Sequence, residues 1–193
     1  MKVVVIKYNA GNVKSVLFAL ERIGVKGILS DKPEEISSAD KIIFPGVGEA
    51  GSAMNYLKEK KLDSVIKNLT QPTLGICLGM QLMCRFSEEG NTNCLNLFDV
   101  SVKKIQGNLK IPQIGWNNIF NLNSRLFEEV TENEFMYFVH GYFVEKNSNS
   151  TATTNYITDF SSAIQKDNFY GVQFHPEKSG KAGQKILENF LKL

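Results

Sequence analysis

Two rhythms of apolar residues divide the chain near its middle. In the first half, β-branched runs alternate with stretches repeating every three or four residues. Val3-Val4-Val5-Ile6 is a continuous run of the kind that marks a strand buried on both faces of a parallel sheet. Tyr8-Asn9-Ala10-Gly11-Asn12 interrupts it as a turn. The spacing predicts a helix over 13–23, with Val16, Leu17, Leu20 and Ile23 on one face and Gly24 as its stop. Residues 26–29 read as a second strand, and 33–38 as a short helix with Pro33 in its first turn. Ile42-Ile43-Phe44 is a third strand ending in Pro45-Gly46-Val47-Gly48. One long helical region is expected over 49–68, and a fourth strand over 72–76. This alternation argues for a parallel sheet covered on both faces.

The second half carries short segments at 100–104, 113–120, 135–139, 152–157, 163–165 and 170–174. Most alternate apolar and polar residues, which suits antiparallel strands added to the sheet. Residues 147–154, rich in Ser, Asn and Thr, read as a loop. A last helix begins near Ser179, with Ala182, Ile186, Phe190 and Leu191 on one stripe. The expected architecture is a three-layer α/β fold. Its central sheet is mostly parallel, with helices on both faces and antiparallel strands in the second half, all in one domain over 1–193.

A length of 193 residues accommodates such a core. The net charge of +2 is not clustered and makes no case for nucleic acid. Val3–Ile6 is too short for a secretion signal or a membrane span, so the expected location is the cytoplasm, with no membrane. Cys77, Cys84 and Cys94 are odd in number and lack a disulfide pattern, which fits a reducing compartment. With two histidines, neither near a cysteine, no metal site is expected. No cofactor is indicated either.

The chemistry is expected at Gly75-Ile76-Cys77-Leu78-Gly79, a G-x-C-x-G turn between the fourth strand and a helix. Such an elbow thrusts its central side chain above the sheet, and small flanking residues permit the sharp fold. Backbone N–H groups of the next helix then lie beside the sulfur and favour thiolate, the nucleophilic form. A buried structural cysteine between packing glycines is the plainer alternative. An acyl-transfer cysteine needs a base and an orienter for it. His175 follows the strand at 170–174, and Glu177, two residues on, points the same way in extended chain. Pro176 biases His175 toward that backbone. Cys77, His175 and Glu177 thus form a candidate triad, although His175 alone could be a surface residue at a strand end. Oxyanion donors are expected from Leu78 and from Val47 and Gly48 in the loop after the third strand. Alone, that loop is an ordinary strand–helix turn.

These runs resemble class I, triad-type glutamine amidotransferases. Gly115-Trp116-Asn117 and His175-Pro176-Glu177-Lys178-Ser179-Gly180 are similar to the glutaminase subunits of imidazole glycerol phosphate synthase in particular. The resemblance implies a substrate, glutamine, hydrolysed to glutamate and ammonia. It places Gln81 in the glutamine-recognition position, with Gly46, His140, Gly141 and Tyr142 also bordering substrate. It also implies a heterodimer with a cyclase (β/α)8-barrel subunit that uses the ammonia in histidine biosynthesis. That reaction gives imidazole glycerol phosphate and an aminoimidazole carboxamide ribonucleotide. Trp116 occupies a family interface position, and Asn12 and Lys178 lie in matched runs expected at the same interface. A core position is the alternative for Trp116. Lys7, Asn9 and Gln113 depart from the family pattern; Gln113 stands where His is common. Three rival readings are an amidotransferase serving another acceptor, such as a surface-sugar amidination enzyme, a general cysteine hydrolase, and a silent binding subunit. An intact Cys, His and Glu argue against the last.

Overall fold

The computed structural model describes residues 1–8 and 11–193. The turn expected at Asn9 and Ala10 lies outside the described residues. The parallel half runs β1 (Val3–Ile6), α1 (Val13–Arg22), β2 (Gly27–Ser30), α2 (Pro33–Ser37), β3 (Lys41–Phe44), α3 (Ala50–Glu59), α4 (Leu62–Lys67), β4 (Thr73–Ile76) and α5 (Leu78–Met83). There follow β5 (Cys84–Ser87), β6 (Thr92–Asn93), β7 (Phe98–Lys104), β8 (Gln113–Ile119), β9 (Glu134–His140), β10 (Tyr142–Val144) and β11 (Ser150–Tyr156). The chain ends with β12 (Thr158–Lys166), β13 (Phe169–Val172) and α6 (Gly180–Lys192). The main sheet has the order β2-β1-β3-β4-β13-β12-β10-β7-β5-β6, with β11 paired to β12. Strands β2, β1, β3, β4 and β13 are mutually parallel.

The β-branched run of β1 explains its place. Val4 and Ile6 pack in the core cluster that also contains the buried faces of α2, α3, α4 and α5. Val3 and Val5 pack in the opposite cluster with residues of α1 and α6. Both sides of the strand are therefore apolar, as a central strand covered on two faces requires.

Several elements differ from the sequence reading. The helix expected over 49–68 is two helices, and Lys61 between them is left-handed, with φ 56°. The apolar stripe Ala50, Ala53, Met54 and Leu57 would continue onto Lys61 and Ser64. The break re-phases the chain so that Leu62 and Ile66 are buried instead. The 147–154 loop is strand from Ser150 onward, because its Thr-rich part pairs with β12. The segment 163–165 is the middle of a longer strand, Thr158–Lys166. Strands β5, β6 and β10 are short and were not anticipated. Strands β8 and β9 form a separate two-stranded sheet, and β5 pairs with β7 in parallel, so not every late strand is an antiparallel addition. Strand β13 stops at Val172, before Gln173-Phe174-His175.

Gly79 packs so tightly against the Phe44 carbonyl that an added Cβ would overlap it, and a Cβ on Gly75 would stand 2.7 Å from the Met80 nitrogen. The elbow can therefore close against β3 only without these side chains. Gly79→Ala is expected to lower the melting temperature by roughly 5–10 °C, the effect of about 2–3 kcal/mol in a chain of this size. Gly141→Ala, whose Cβ would meet only the Pro112 Cβ at 3.9 Å, should leave it nearly unchanged. Parallel thermal melts of the two variants check this; equal melting temperatures would remove the packing argument.

Candidate functional site

Cys77 is forced into an unfavourable backbone conformation, φ 52° and ψ −107°, between β4 and α5. A non-glycine residue there is strained, and the surrounding packing holds it. The turn lifts Sγ to one end of the parallel strands, into a cleft of about 240 Å³. Val47, Gly48, Leu78, Gln81, His140, Gly141 and Tyr142 share its walls. Gly46 does not: it is buried beneath Tyr8 and Leu78, so its expected contact with substrate is replaced by a packing role.

His175 lies just beyond β13, and its backbone N–H donates to the Tyr137 carbonyl of β9 at 2.9 Å. Its Nδ1 is 2.8 Å from Glu177 Oε1, and both side chains are fully buried. Burial alone would lower the imidazole pKa. The Cys77 sulfur and the Glu177 carboxylate outweigh it and raise the pKa to about 10. With Nδ1 committed to the carboxylate, the buried Nε2 has no hydrogen-bond partner among the described residues. The structure thus brings the three expected triad residues together: His175 and Glu177 share a hydrogen bond, and the Cys77 sulfur acts on the ring through its charge.

Asn12 is not on the outer surface where a partner contact was expected. It is buried, and its Nδ2 donates to Glu177 Oε1 at 2.8 Å. It stands behind the carboxylate and restricts its rotation, a role that a lone Asn after a turn did not signal. The residues expected to donate to an oxyanion are close by but differently engaged. The Leu78 N–H is directed at the Gly46 carbonyl, 3.4 Å away, and the Val47 carbonyl accepts from Gly11 at 3.3 Å. Gly48 has φ +142°, a conformation open to glycine. The Tyr8 hydroxyl donates to the Pro45 carbonyl, and burial pushes its pKa well above the usual phenol value, so it stays a donor.

The buried Gln81 donates from Nε2 to the Tyr142 carbonyl at 3.0 Å and to Gln173 Oε1 at 2.9 Å. His140 Nδ1 lies 2.7 Å from the same Tyr142 carbonyl, which can only accept, so Nδ1 carries the proton. Burial lowers the His140 pKa to about 4, and the ring is neutral. Its Nε2 lies 2.9 Å from the Gln113 side-chain amide oxygen; a neutral ring with its proton on Nδ1 bonds this amide only when the amide is turned to present its nitrogen. Gln113, the departure from the family pattern, is therefore an inward partner of His140. Burial pushes the Cys84 and Cys94 thiols up, consistent with packing roles.

A family model described as "Glutamine amidotransferase class-I" matches residues 4–193. The chain belongs to the class I glutamine amidotransferase family. It is 58% identical over 196 residues to imidazole glycerol phosphate synthase subunit HisH of Bacteroides thetaiotaomicron, covering 100% of each. It is 49% identical over 193 residues to the Haemophilus influenzae subunit of the same name, covering 99% of this chain and 97% of that one. A solved structure titled as a glutamine amidotransferase shares the fold at TM-score 0.77 and 14% identity, over 98% of this chain and 97% of that one. As a member of this amidotransferase family the chain is an enzyme.

Sequence reasoning missed Glu89 in this amidotransferase. It lies on a short 3-10 turn, lines the cleft, and its Oε2 accepts from the Ala50 N–H at 2.8 Å. Burial raises its pKa. No local motif marks it, because only the tertiary fold brings residue 89 beside Gln81.

The two histidines set opposite limbs of stability against pH. His140 has a folded pKa depressed from about 6.5 to about 4, so the unfolded chain binds more protons in that window and stability rises with pH through it. His175 has a folded pKa raised to about 10, so its contribution is complete below about 6.5 and is lost as pH rises toward 10. Denaturant titrations should show maximal stability near pH 6–7. His140→Gln should flatten the acid limb and leave the alkaline limb; an unchanged acid limb would show that His140 does not cause it.

Proposed function

We propose that this chain hydrolyses glutamine to glutamate and ammonia through Cys77, His175 and Glu177. It hands the ammonia to a cyclase (β/α)8-barrel partner in a cytoplasmic heterodimer. There the ammonia enters imidazole glycerol phosphate and aminoimidazole carboxamide ribonucleotide formation in histidine biosynthesis. The observation that carries this reading is the strained Cys77 opposite an imidazole whose other nitrogen is held by a buried carboxylate at 2.8 Å.

The sulfur anion attacks the γ-carboxamide carbon. The C–N bond breaks and His175 gives its proton to the departing nitrogen, which leaves as ammonia. Water then attacks the thioester carbonyl while His175 takes its proton. Glutamate leaves and the thiolate is restored. Glu177 holds the ring and balances its positive form throughout, and Asn12 holds Glu177. At the other end of the cleft, Gln81 has both amide hydrogens engaged, so its Oε1 is free to accept. With the Glu89 carboxylate it supplies the acceptors a substrate ammonium needs.

The outer face of the β8–β9 hairpin supports a partner surface. Ile114, Trp116 and Phe135 are 57%, 55% and 54% exposed, and Trp116 stacks edge-on to Tyr137 at 5.8 Å. The exposed Lys178 ammonium lies 6.0 Å from the same tyrosine ring. Large apolar groups beside a cation are the anchors of a protein interface. The same hairpin ends at Val139 and His140, in the wall of the cleft. The 58% identity to a named synthase subunit favours this acceptor over a surface-sugar amidination enzyme.

Cys77→Ser is expected to abolish glutamine-dependent synthesis by the complex while sparing synthesis from added ammonium salt. Equal loss of both would point away from Cys77 chemistry. Trp116→Ala should weaken association with the barrel subunit by roughly 30-fold, about 2 kcal/mol, in a calorimetric titration. Undiminished affinity would move the interface elsewhere.

A further inference from the structure

Gln173 is fully buried and takes no part in the hydrolysis just described. It sits on the turn after β13, with its backbone N–H on the Ser162 carbonyl at 2.9 Å. Its Nε2 lies 3.4 Å from Cys77 Sγ and its Oε1 is 2.9 Å from Gln81 Nε2.

The orientation of this amide follows from an obligate acceptor. The Tyr142 carbonyl can only accept, and it receives both Gln81 Nε2 and His140 Nδ1. That fixes the Gln81 NH2 end. Its second hydrogen goes to Gln173 Oε1, and the Gln173 NH2 is left facing the sulfur. A hydrogen bond to an anion is stronger than the same bond to a neutral group, so this N–H favours thiolate over thiol. In the thiol form Sγ donates to the Val139 carbonyl, 3.7 Å away, and the Gln173 N–H competes with that contact by favouring the anion.

We propose that Gln173 is a positioning residue for the nucleophile, holding the Cys77 sulfur as its anion through an amide whose direction Gln81 and the Tyr142 carbonyl enforce. This rests on the reading of Cys77 as the nucleophile. Gln81 then has two duties. Its oxygen meets the substrate and its nitrogen orients Gln173, so an alteration at Gln81 reaches the sulfur as well as the binding site. The other titratable groups around the sulfur are His175 with Glu177 behind it, Tyr8, His140 and, along the cleft, Tyr142 and Glu89. Substitution at 173 leaves all of these in place.

The test is the pH dependence of Cys77 alkylation by iodoacetamide in the full chain, read by mass spectrometry so that Cys84 and Cys94 are scored separately. Gln173→Met keeps length and removes the donor. Its alkylation midpoint should rise by about one pH unit, with roughly tenfold slower reaction below the midpoint. Gln81→Met leaves Gln173 in place but unanchored, and should shift the midpoint the same way by less; it carries the test if Gln173→Met does not fold. In the complex, Gln173→Met should lower kcat with little change in KM, whereas Gln81→Met should change both. Midpoints coincident with the unaltered chain in both variants would overturn the proposal, as would slowing by one factor at every pH. An unaltered chain whose Cys77 reacts no faster than Cys84 at neutral pH would instead overturn the nucleophile reading itself.

Discussion

The site depends on one strained peptide. Cys77 holds a positive φ that an L-residue adopts only under constraint. The constraint comes from packing at both sides of the turn. Gly79 lies on the Phe44 carbonyl at the end of β3, and Gly75 lies under the Met80 nitrogen. The parallel register of β3, β4 and β13 then sets the third dimension, because Gly75 aligns with Phe44 on one side and with Gly171 on the other. The sulfur and the imidazole meet because β4 and β13 are neighbours, although their residues are about a hundred positions apart.

Around that peptide the site is lined by neutral amides. Asn12 holds Glu177, Gln173 faces Cys77, Gln81 joins Gln173 to a carbonyl, and Gln113 meets His140. Amides suit a buried reactive centre. They donate and accept without adding charge, so they orient the ionised groups without competing with them. A lysine or carboxylate in these positions would need its own counter-charge in a nearly dry interior. The neutral state of His140 fits the same logic, since a second cation beside His175 would oppose the first.

What the sequence revealed, and what it hid, divides along contact range. The alternation of apolar runs located β1 to β4, and β1, β3 and β4, buried on both faces, leave an unbroken signature in the chain. The elbow and the His-Pro-Glu run were legible because their geometry is local. The Lys60–Lys61 break was legible in principle, as a change of phase between Leu57 and Leu62, yet good helix formers across it concealed the stop. Strands β5, β6 and β10 are short and gain their order from neighbours rather than from pattern. Gln173 and Glu89 carried no signal as site residues, and Asn12 was expected at the partner surface, since each contacts a residue distant in sequence. Trp116 was ambiguous for the same reason: an aromatic on a strand reads alike whether it faces a core or a partner, and here it is exposed.

The loop after β3, which the proposed reaction uses for the oxyanion, is firm at its base and less tightly bonded at its tip. Its base is firm, because the buried Tyr8 hydroxyl holds the Pro45 carbonyl and packs against Phe44. Its tip is loose. The bonds from Leu78 to Gly46 and from Gly11 to Val47 are 3.4 and 3.3 Å, longer than the usual backbone distance near 2.9 Å. In the proposed reaction the Leu78 N–H exchanges its bond to Gly46 for one to the developing oxyanion. The turn that meets the loop at Gly11 continues into Asn12, whose amide holds Glu177. One short segment therefore touches both the oxyanion loop and the acid of the triad. Any contact that repositions this segment acts on two parts of the proposed reaction together, which couples the formation of the oxyanion site to the alignment of the base.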